Sequence, residues 1–473
     1  MSMINPSVLI MAAGKGTRMR SATPKVLQPI LDRPIIDYVI NNALTTGISP
    51  ENICVLIGSG GELVESHLQK TFPSVKILWQ HEQLGTGHAV KTAREFWSSY
   101  ENLIVLNGDV PLMTTKSLEA LIMNIEETKS DCTVVTFNAK NPGAYGRIIR
   151  DNEKNSISIV EFKDATKEQR KIHEVNAGCY AFKVEALNKI IDLITNDNAQ
   201  HEYYLTDALA LMNEQGLHTE AFTLPEEETQ GVNTQGELAK AAKVMRWRIL
   251  NHWLDSGVRM IDPATVYISP DAKLSPNVVI MPNVQIWGHS IISEGAVIGS
   301  GSILKNAVIG KNVNLVAYVF IENSELKEDS QAGPFCYIRD KSCLEKKAFA
   351  GKFVELKNSH VGENSKVPHL SYMGDATLGH DVNIGAGSIT CNYDGENKNK
   401  TFIGNNCFVG SDTMFVAPVE LLDGAATAAG SVITQAVPEN SLGVGRARQT
   451  NIADWSLRNI HLNHHKTKPE GEK

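Results

Sequence analysis

The stretch Ile268-Ser269-Pro270-Asp271-Ala272-Lys273-Leu274-Ser275-Pro276-Asn277-Val278-Val279-Ile280 opens a ladder that decides the fold of the second half of the chain. Every sixth residue is Ile or Leu: Ile268, Leu274, Ile280, Ile286, Ile292, Ile298 and Leu304. With roughly half of residues apolar in an average protein, seven apolar hits in one register arise by chance only about once in a hundred. Six helical steps turn through about 600° and scatter side chains over three faces. Six strand steps return the side chain to the same face. Four residues after each rung stands a small or β-branched residue: Ala272, Val278, Val284, Ser290, Ala296, Ser302 and Val308. Hexads of this kind predict a parallel β-helix, in which each short strand stacks on the coil below. The register slips and resumes at Ile309, Leu315 and Ile321. It returns in pieces at Leu344, Ala350, Leu356, Ile384, Ile403, Val409, Phe415 and Leu421. The coils are expected from about Ile268 to about Val437. Their stacked edges need a cap or a partner.

Upstream of the ladder the pattern changes to strands alternating with helices. Apolar runs at Val8–Met11, Ile53–Ile57, Val75–Trp79, Leu103–Leu106 and Cys132–Phe137 read as buried strands. Pro34–Thr46, Thr86–Trp97 and Thr115–Thr128 read as helices between them. That order predicts βαβ units and a mostly parallel sheet. Ligands of such sheets bind beyond the carboxyl ends of the strands, which points to the loops after Met11, Trp79 and Leu106. Strands at Ile157–Phe162 and Ala177–Phe182 follow at less even spacing. Pro225-Glu226-Glu227-Glu228-Thr229 reads as a polar break, and Thr234–Asp255 as one long linker helix. The fold class is α/β plus β, divided as 1–230, 231–256 and 257–473. The polar stretch from Asn463 is expected to fray.

At 473 residues the chain exceeds one core, and 42% hydrophobic with 21% charged residues is ordinary for a globular protein. A net charge of −8 argues against a general nucleic-acid or membrane-surface binder. The seven cysteines stand singly with no CxxC pair, which reads as reduced intracellular thiols rather than a disulfide framework or a zinc site. With no signal-peptide pattern and no apolar run near the roughly 20 residues of a membrane span, the expected location is the cytoplasm.

The first strand runs into Ala12-Ala13-Gly14-Lys15-Gly16-Thr17-Arg18-Met19, followed by Pro24-Lys25-Val26-Leu27. Glycines admit phosphates close to backbone N–H groups, and Arg18 and Lys25 supply the charge that triphosphate chemistry requires. The loop is neither a Walker A motif nor a dinucleotide fingerprint, because no Gly-Lys-Ser/Thr ends it and Met19 stands where a third Gly belongs. Asn107-Gly108-Asp109 ends an apolar strand and places an oxygen ligand suited to Mg²⁺. Between them lies Gln80-His81-Glu82-Gln83-Leu84-Gly85-Thr86-Gly87-His88-Ala89. The Gln80 amide offers the donor and acceptor that a uracil edge matches, while His81 and His88 read as packing or surface residues. In the coils, Phe353-Val354-Glu355-Leu356-Lys357 precedes His369-Leu370-Ser371-Tyr372, Asn383-Ile384-Gly385-Ala386-Gly387 and Thr390-Cys391-Asn392-Tyr393. Acetyl transfer to an amine needs a base that titrates near neutrality, an oxyanion donor, and cations for a sugar phosphate.

Met11 to Lys25, Gln80 to Ala89, Asn107-Gly108-Asp109, Tyr145-Gly146-Arg147, Glu161 with Lys163-Asp164-Ala165, and Asn176 fall in the order of the sugar-1-phosphate nucleotidyltransferases. With the hexads added, the chain from about Val8 to Arg446 resembles the bifunctional N-acetylglucosamine-1-phosphate uridyltransferase/glucosamine-1-phosphate acetyltransferase family. The resemblance implies a Rossmann-like nucleotidyltransferase domain followed by a left-handed parallel β-helix of hexapeptide repeats. It implies acetylation of glucosamine-1-phosphate by acetyl-CoA, then uridylyl transfer from UTP with release of pyrophosphate.

It also implies roles for residues. Met11, Ala12, Ala13, Gly14, Lys25, Gln80, Gly85, Thr86, Asn107, Gly108 and Asp109 would hold the nucleotide. Gly146, Glu161 and Asn176 would hold the N-acetylglucosamine. Arg18 and Lys25 would stabilise phosphate charge, and Asp109 and Asn233 would hold Mg²⁺. His369 would be the base of acetyl transfer, oriented by Glu355. Arg339, Lys357, Tyr372 and Asn383 would bind glucosamine-1-phosphate. Ala386, Asn392, Tyr393, Ser411, Ala429 and Arg446 would line the acetyl-CoA site. The implied partners are these small molecules and two further copies of the chain in a homotrimer, with no nucleic acid and no membrane.

Four departures stand out. Met11 replaces a Leu, and Asn107 replaces an aromatic or small residue. Asp340-Lys341 follows Arg339 in place of Pro-Gly, setting a carboxylate beside the implied phosphate-binding Arg. Val367-Pro368 precedes His369 in place of two small residues, and the proline restricts the entry of His369. Two other functions fit the same residues less fully. One is a monofunctional nucleotidyltransferase whose β-helix only oligomerises. The other is a trimeric scaffold that senses a sugar nucleotide, for which the implied Mg²⁺ ligands would be superfluous.

Overall fold

The structure, a computed structural model, describes residues 6–14, 16–58, 60–151 and 156–458. Lys15 and the tail from Asn463 lie outside the described residues. The chain divides into two compact units, Met1–Trp253 with Tyr267–Pro270, and Leu254–Val266 with Asp271–Lys473. Among the described residues no helix is long and apolar enough to cross a membrane.

The first unit is built on a sheet whose order is Thr219–Thr223, Cys132–Asn138, Glu174–Lys183, Asn102–Asn107, Ser7–Ala12, Ile53–Gly58 and Lys76–Gln80. Neighbours run parallel except Glu174–Lys183, which is antiparallel to both its partners. The strands are apolar on both faces because helices cover both. Ile10, Val55 and Ile104 pack on one side with the helix Ile35–Thr45. Leu9, Leu56 and Val105 pack on the other with Val90 and Trp97. Two local readings change. The Thr86–Trp97 helix is two pieces, Thr86–Thr92 and Arg94–Trp97, broken at Ala93, whose φ of −86° and ψ of 10° leave the helical region. Pro225–Thr229 is not an irregular break. Pro225 precedes a short helix, Glu226–Thr229, because proline is preorganised for a helix start. Glu228 from that helix accepts the Thr114 N–H at 2.9 Å.

Helix Gln235–Asp255 places Leu238, Ala241, Ala242 and Met245 against Met19, Ile30, Ile35 and Tyr38. The residues that precede it are thereby held beside the loop that follows the first strand.

The second unit is a left-handed parallel β-helix. Three all-parallel sheets of 11, 10 and 9 strands form its faces, from Arg259–Met260 to Leu442–Gly443. Every rung of the ladder from Ile268 to Leu421 points inward, and Leu274, at 8%, is the most exposed of them. Hexad arithmetic gives 18 residues per coil, but many coils use 17, as in Val297↔Asn314 and Val308↔Glu325. This shortening explains the slip at Ile309. It also corrects one reading: Ala307 takes the small inward position, and Val308 turns outward at 38% exposure. Asn and Asp occupy many corners with positive φ, among them Asn277, Asn312, Asp329 and Asn364. Their short polar side chains tolerate the left-handed region at low cost.

Candidate functional sites

In the first unit a cleft of about 490 Å³ opens at the carboxyl ends of the parallel strands. Met11, Ala12, Ala13, Gly14, Lys25, Gln80, Gly85, Thr86, Asn107 and Asp109 line it, together with Gln83 and Glu202. Close backbone approach shapes the floor: the Gly108 N–H donates to the Met11 carbonyl at 2.9 Å. Gly16, at φ 59°, sits so near Lys25 that an added Cβ would lie 2.8 Å from the Lys25 Cβ. The Lys25 ammonium bonds the Asp109 carboxylate and donates to the Asn233 amide oxygen at 3.0 Å. Arg18 donates to that oxygen at 2.9 Å. Four groups separated by up to 215 residues in sequence thus meet at one point. Asn233 is carried there by the start of the following helix, where Glu237 accepts the Asn233 and Thr234 N–H groups. A carboxylate and an amide oxygen converging on one cation are a donor set that fits Mg²⁺, which takes oxygen ligands and leaves places for water and phosphate.

The Gln80 amide nitrogen pairs with His88 Nδ1 at 3.0 Å and reaches the Gly85 carbonyl at 3.4 Å. His88 therefore orients the glutamine, and Gln80 itself is buried. Gln83, which the sequence reading passed over, donates to the Ala13 carbonyl at 2.5 Å and ties the two loops of the cleft together. Its signal was faint, a second amide three residues beyond the first. Thr86 Oγ1 accepts the Leu205 N–H. Asn107 lies against the backbone of the long antiparallel strand, its amide 3.4 Å from the Ala177 carbonyl.

Gly146, Glu161 and Asn176 gather together, and Glu202 and Asn107, which line the cleft, lie near them. The Gly146 carbonyl accepts the Asn176 N–H at 2.9 Å, and a Cβ on Gly146 would stand 3.4 Å from Glu161 Oε1. Asn176 spans Tyr180 Oη and the Gly178 N–H. Burial pushes the Glu161 carboxyl above the usual range, and the Asp207, Asp164 and Glu202 carboxylates add to the rise.

In the coils a groove of about 550 Å³ brings together His369, Asn383, Ala386, Ser411 and Ala429. Ala386, Ser411 and Ala429 each follow a strand of the same face, on successive coils. Coils stack about 4.8 Å apart, so three small side chains in register leave a shallow channel. Arg446 lies beside it, its Cδ 3.7 Å from where a Gly430 Cβ would be. His369 ends one strand of this face and is exposed. Tyr372 begins the next strand, across the corner at Leu370, on the adjoining face.

Arg339, Glu355, Lys357 and Tyr372 share that adjoining face. Arg339 donates to Glu355 at 2.9 Å and to Asp340 at 2.7 Å, and its guanidinium lies 5.4 Å from the Tyr337 ring centre. Glu355 therefore faces Arg339, a charge-assisted partner that competes for any bond Glu355 could accept from His369. Lys357 pairs with Asp375 at 3.7 Å, and Asn392 donates to the same carboxylate at 2.5 Å. The neighbouring Lys357 ammonium holds Lys398 below the ordinary lysine range. Asp375 and Lys398 escaped the sequence reading because neither belongs to a quoted motif; coil stacking, not sequence, makes them neighbours. Tyr393 is exposed, its hydroxyl bonded to the Gly395 carbonyl at 2.5 Å.

Residues 7–259 match the model of a family described as Nucleotidyl transferase. The chain is 42% identical over 450 residues to "Bifunctional protein GlmU" of Thermodesulfovibrio yellowstonii, spanning 95% of this chain and 98% of that one. It is 44% identical over 451 residues to the protein of that name from Thermosipho africanus, spanning 95% and 97%. With the one from Heliobacterium modesticaldum the identity is 44% over 444 residues, spanning 93% and 96%.

Proposed function

The chain belongs to the bifunctional GlmU family, and we propose that each of its two units carries one of its two transfers. It acetylates glucosamine-1-phosphate with acetyl-CoA. It then transfers a uridylyl group from UTP to the N-acetylglucosamine-1-phosphate formed, releasing pyrophosphate. The observation that carries the division is that each unit has its own opening with its own chemistry. One gathers cations and oxygen donors around Lys25, and the other sets an imidazole beside a channel of small residues.

In the first cleft the backbone from Met11 to Gly14, with Gln80, Gly85 and Thr86, holds the uridine nucleotide, and Gly108 lets its carrying loop lie close. Gly146, Glu161 and Asn176 bind the acetylated sugar. Asp109 and Asn233 hold Mg²⁺, which when bound neutralises phosphate charge. Arg18 and Lys25 stabilise the charge that builds on the phosphates as the sugar phosphate oxygen attacks the α-phosphorus. In the coils, Arg339, Lys357, Tyr372 and Asn383 hold glucosamine-1-phosphate. Ala386, Asn392, Tyr393, Ser411, Ala429 and Arg446 hold acetyl-CoA. His369 takes a proton from the sugar nitrogen as that nitrogen forms its bond to the thioester carbonyl carbon, and the CoA thiolate leaves. Glu355 acts on His369 once the phosphate has drawn Arg339 away.

The working assembly is a homotrimer in the cytoplasm, where acetyl-CoA and UTP are supplied. Its support is the corner between the two functional faces. Tyr318, Phe335 and Phe353 stack there at 5.2 and 5.4 Å, more than half exposed, with Leu370 next in line. An apolar corner this exposed calls for cover by another chain. Phe353→Glu should yield monomers by light scattering; a stable trimer would remove the corner from the interface. The division of labour is tested by supplying glucosamine-1-phosphate, acetyl-CoA, UTP and Mg²⁺ and omitting each in turn. Omitting acetyl-CoA should stop both products, and omitting UTP should leave the acetylated sugar phosphate. Uridylation without any acetylation would leave the coils a structural stem.

A further inference from the structure

The third face of the β-helix carries no residue assigned above, yet one part of it holds three metal-binding side chains. Strands Cys343–Leu344 and His360–Val361 are adjacent and in register, Cys343 opposite His360 and Leu344 opposite Val361. Leu344 and Val361 are buried in the core, so the alternation of the strand turns Cys343 and His360 to the outside, one above the other. Glu345 is two residues from Cys343, on the same side of the pleat. The sulfur, imidazole and carboxylate donor atoms all lie within 4.8 Å of one another. Glu345 Oε1 is 3.6 Å from His360 Nε2 and 3.7 Å from Cys343 Sγ.

These separations are close to the edges of a tetrahedron. Bonds of about 2.0–2.3 Å to zinc place neighbouring N, O and S donors about 3.3–3.6 Å apart. The backbone at the site is held on both strands: the Cys343 N–H donates to the Ser359 carbonyl at 2.9 Å, and the Glu345 N–H to the Val361 carbonyl at 2.9 Å. Behind them, inside the coil, the Ser342 hydroxyl accepts the Ser359 N–H at 3.2 Å. The side chains remain reachable, with His360 45% and Glu345 25% exposed. A positive group already sits on the carboxylate, for Lys327 Nζ is 2.7 Å from Glu345 Oε1.

We propose that Cys343, Glu345 and His360 bind one divalent transition-metal ion of the zinc class on the outer face of the β-helix, with water as the fourth ligand. The donors are one thiolate, one imidazole and one carboxylate, a set that excludes Mg²⁺ and Ca²⁺, which take oxygen, and suits Zn²⁺ or Co²⁺. Binding releases the Cys343 thiol proton to solvent and moves the Lys327 ammonium off Glu345. The ion joins two successive coils across a 17-residue step. That step is why the site is invisible to motif spacing: no CxxC or paired-histidine pattern places these residues together, and only the stacking of coils does. The proposal is independent of the transferase chemistry.

The test uses tag-free full-length protein, stripped with a chelator and kept reduced without a thiol reagent. Titration with Co²⁺ should give a near-ultraviolet thiolate-to-cobalt band that saturates at one equivalent per chain and is abolished by added Zn²⁺. Oxygen-only ligation at Asp109 cannot produce that band. Cys343→Ser should remove it, His360→Ala should weaken Co²⁺ binding at least about tenfold, and Cys391→Ser, at another partly exposed thiol, should leave it intact. All three changes are outside the core and preserve the coil. Absence of the band in the parent protein, its survival in Cys343→Ser, or its loss in Cys391→Ser would each overturn the proposal.

Discussion

In the first unit the groups that meet in the cleft come from positions 18, 25, 109 and 233, and helices and loops of unrelated sequence bring them together. In the second, Arg339 and Glu355, or Ala386, Ser411 and Ala429, stand one or more coils apart on one face, and stacking alone sets their separation. The difference shows in what the charges do. Lys25 bonds both Asp109 and Asn233 across elements, so the cleft is assembled by the same contacts that would act on phosphate. On the coils, Arg339 is held by Glu355 and Asp340, and His369 ends a strand as an exposed side chain. Both units carry ion pairs, but in the sheet unit the pair lies within the cleft, whereas in the coil unit it occupies Arg339 while His369 stands exposed.

The largest effect expected from breaking this contrast is at His369. A positioned base contributes about 10²–10⁴-fold. His369→Ala should lower acetyl transfer by that order while uridylyl transfer from ready-made N-acetylglucosamine-1-phosphate stays at the parent rate. Acetylation near the parent rate in a folded variant would place the base elsewhere. Next comes Asp109→Ala, which removes the carboxylate proposed to hold Mg²⁺ and takes away the ion-pair partner of Lys25, leaving its bond to Asn233. Loss of one preorganised charge-stabilising group costs about 10²–10³-fold. Uridylyl transfer should fall by that order with acetyl transfer spared; equal loss of both would count against separate sites.

A smaller effect is expected at Glu161, where the contrast extends to pH. Burial raises its carboxyl pKa, so the charge is lost on acidification earlier than from a solvent-exposed glutamate. In the proposed role the ionised form would accept hydrogen bonds from the sugar, and such a bond to a charged group is worth about 1.5–3 kcal/mol. Glu161→Gln should raise KM for N-acetylglucosamine-1-phosphate by about one to two orders of magnitude. In the parent KM should climb as pH falls through the raised pKa, and in the variant that limb should flatten. An unchanged acidic limb in Glu161→Gln would assign it to another group.

How much of this could be read in advance differs between the units for the same reason. The coil core was legible residue by residue, because one period governs both inward direction and stacking. Its errors are local: a 17-residue coil moved the small position from Val308 to Ala307. The sheet was legible as alternating apolar runs, and its cleft as the loops after three of them. Contacts made by folding were not legible. Nothing near Gln80 signals that His88 bonds its amide, and nothing near Glu355 signals that Arg339 holds it. Asp375 and Lys398 carry no motif, and Cys343 and His360 become neighbours only because a coil closes between them.

The smallest effect expected is the most specific to this chain, at Asp340. Asp340-Lys341 follows Arg339 in place of Pro-Gly, and in the structure Asp340 accepts from the Arg339 guanidinium at 2.7 Å. A phosphate arriving at Arg339 must displace that carboxylate. The pair is partly open to water, Asp340 being 46% exposed, so its strength is that of a surface ion pair, about 0.2–1 kcal/mol. Removing the charge should therefore lower KM for glucosamine-1-phosphate by about 1.4- to 5-fold, with kcat unchanged. The replacement must be Asn rather than Ala, because Asp340 has φ 55° and is followed by Lys341 at φ 66°, and Asn bears the left-handed region better than other side chains. A rise in KM for Asp340→Asn would mean that the carboxylate holds Arg339 in its working position instead of competing for it. The departure at this corner would then be a support for the phosphate site.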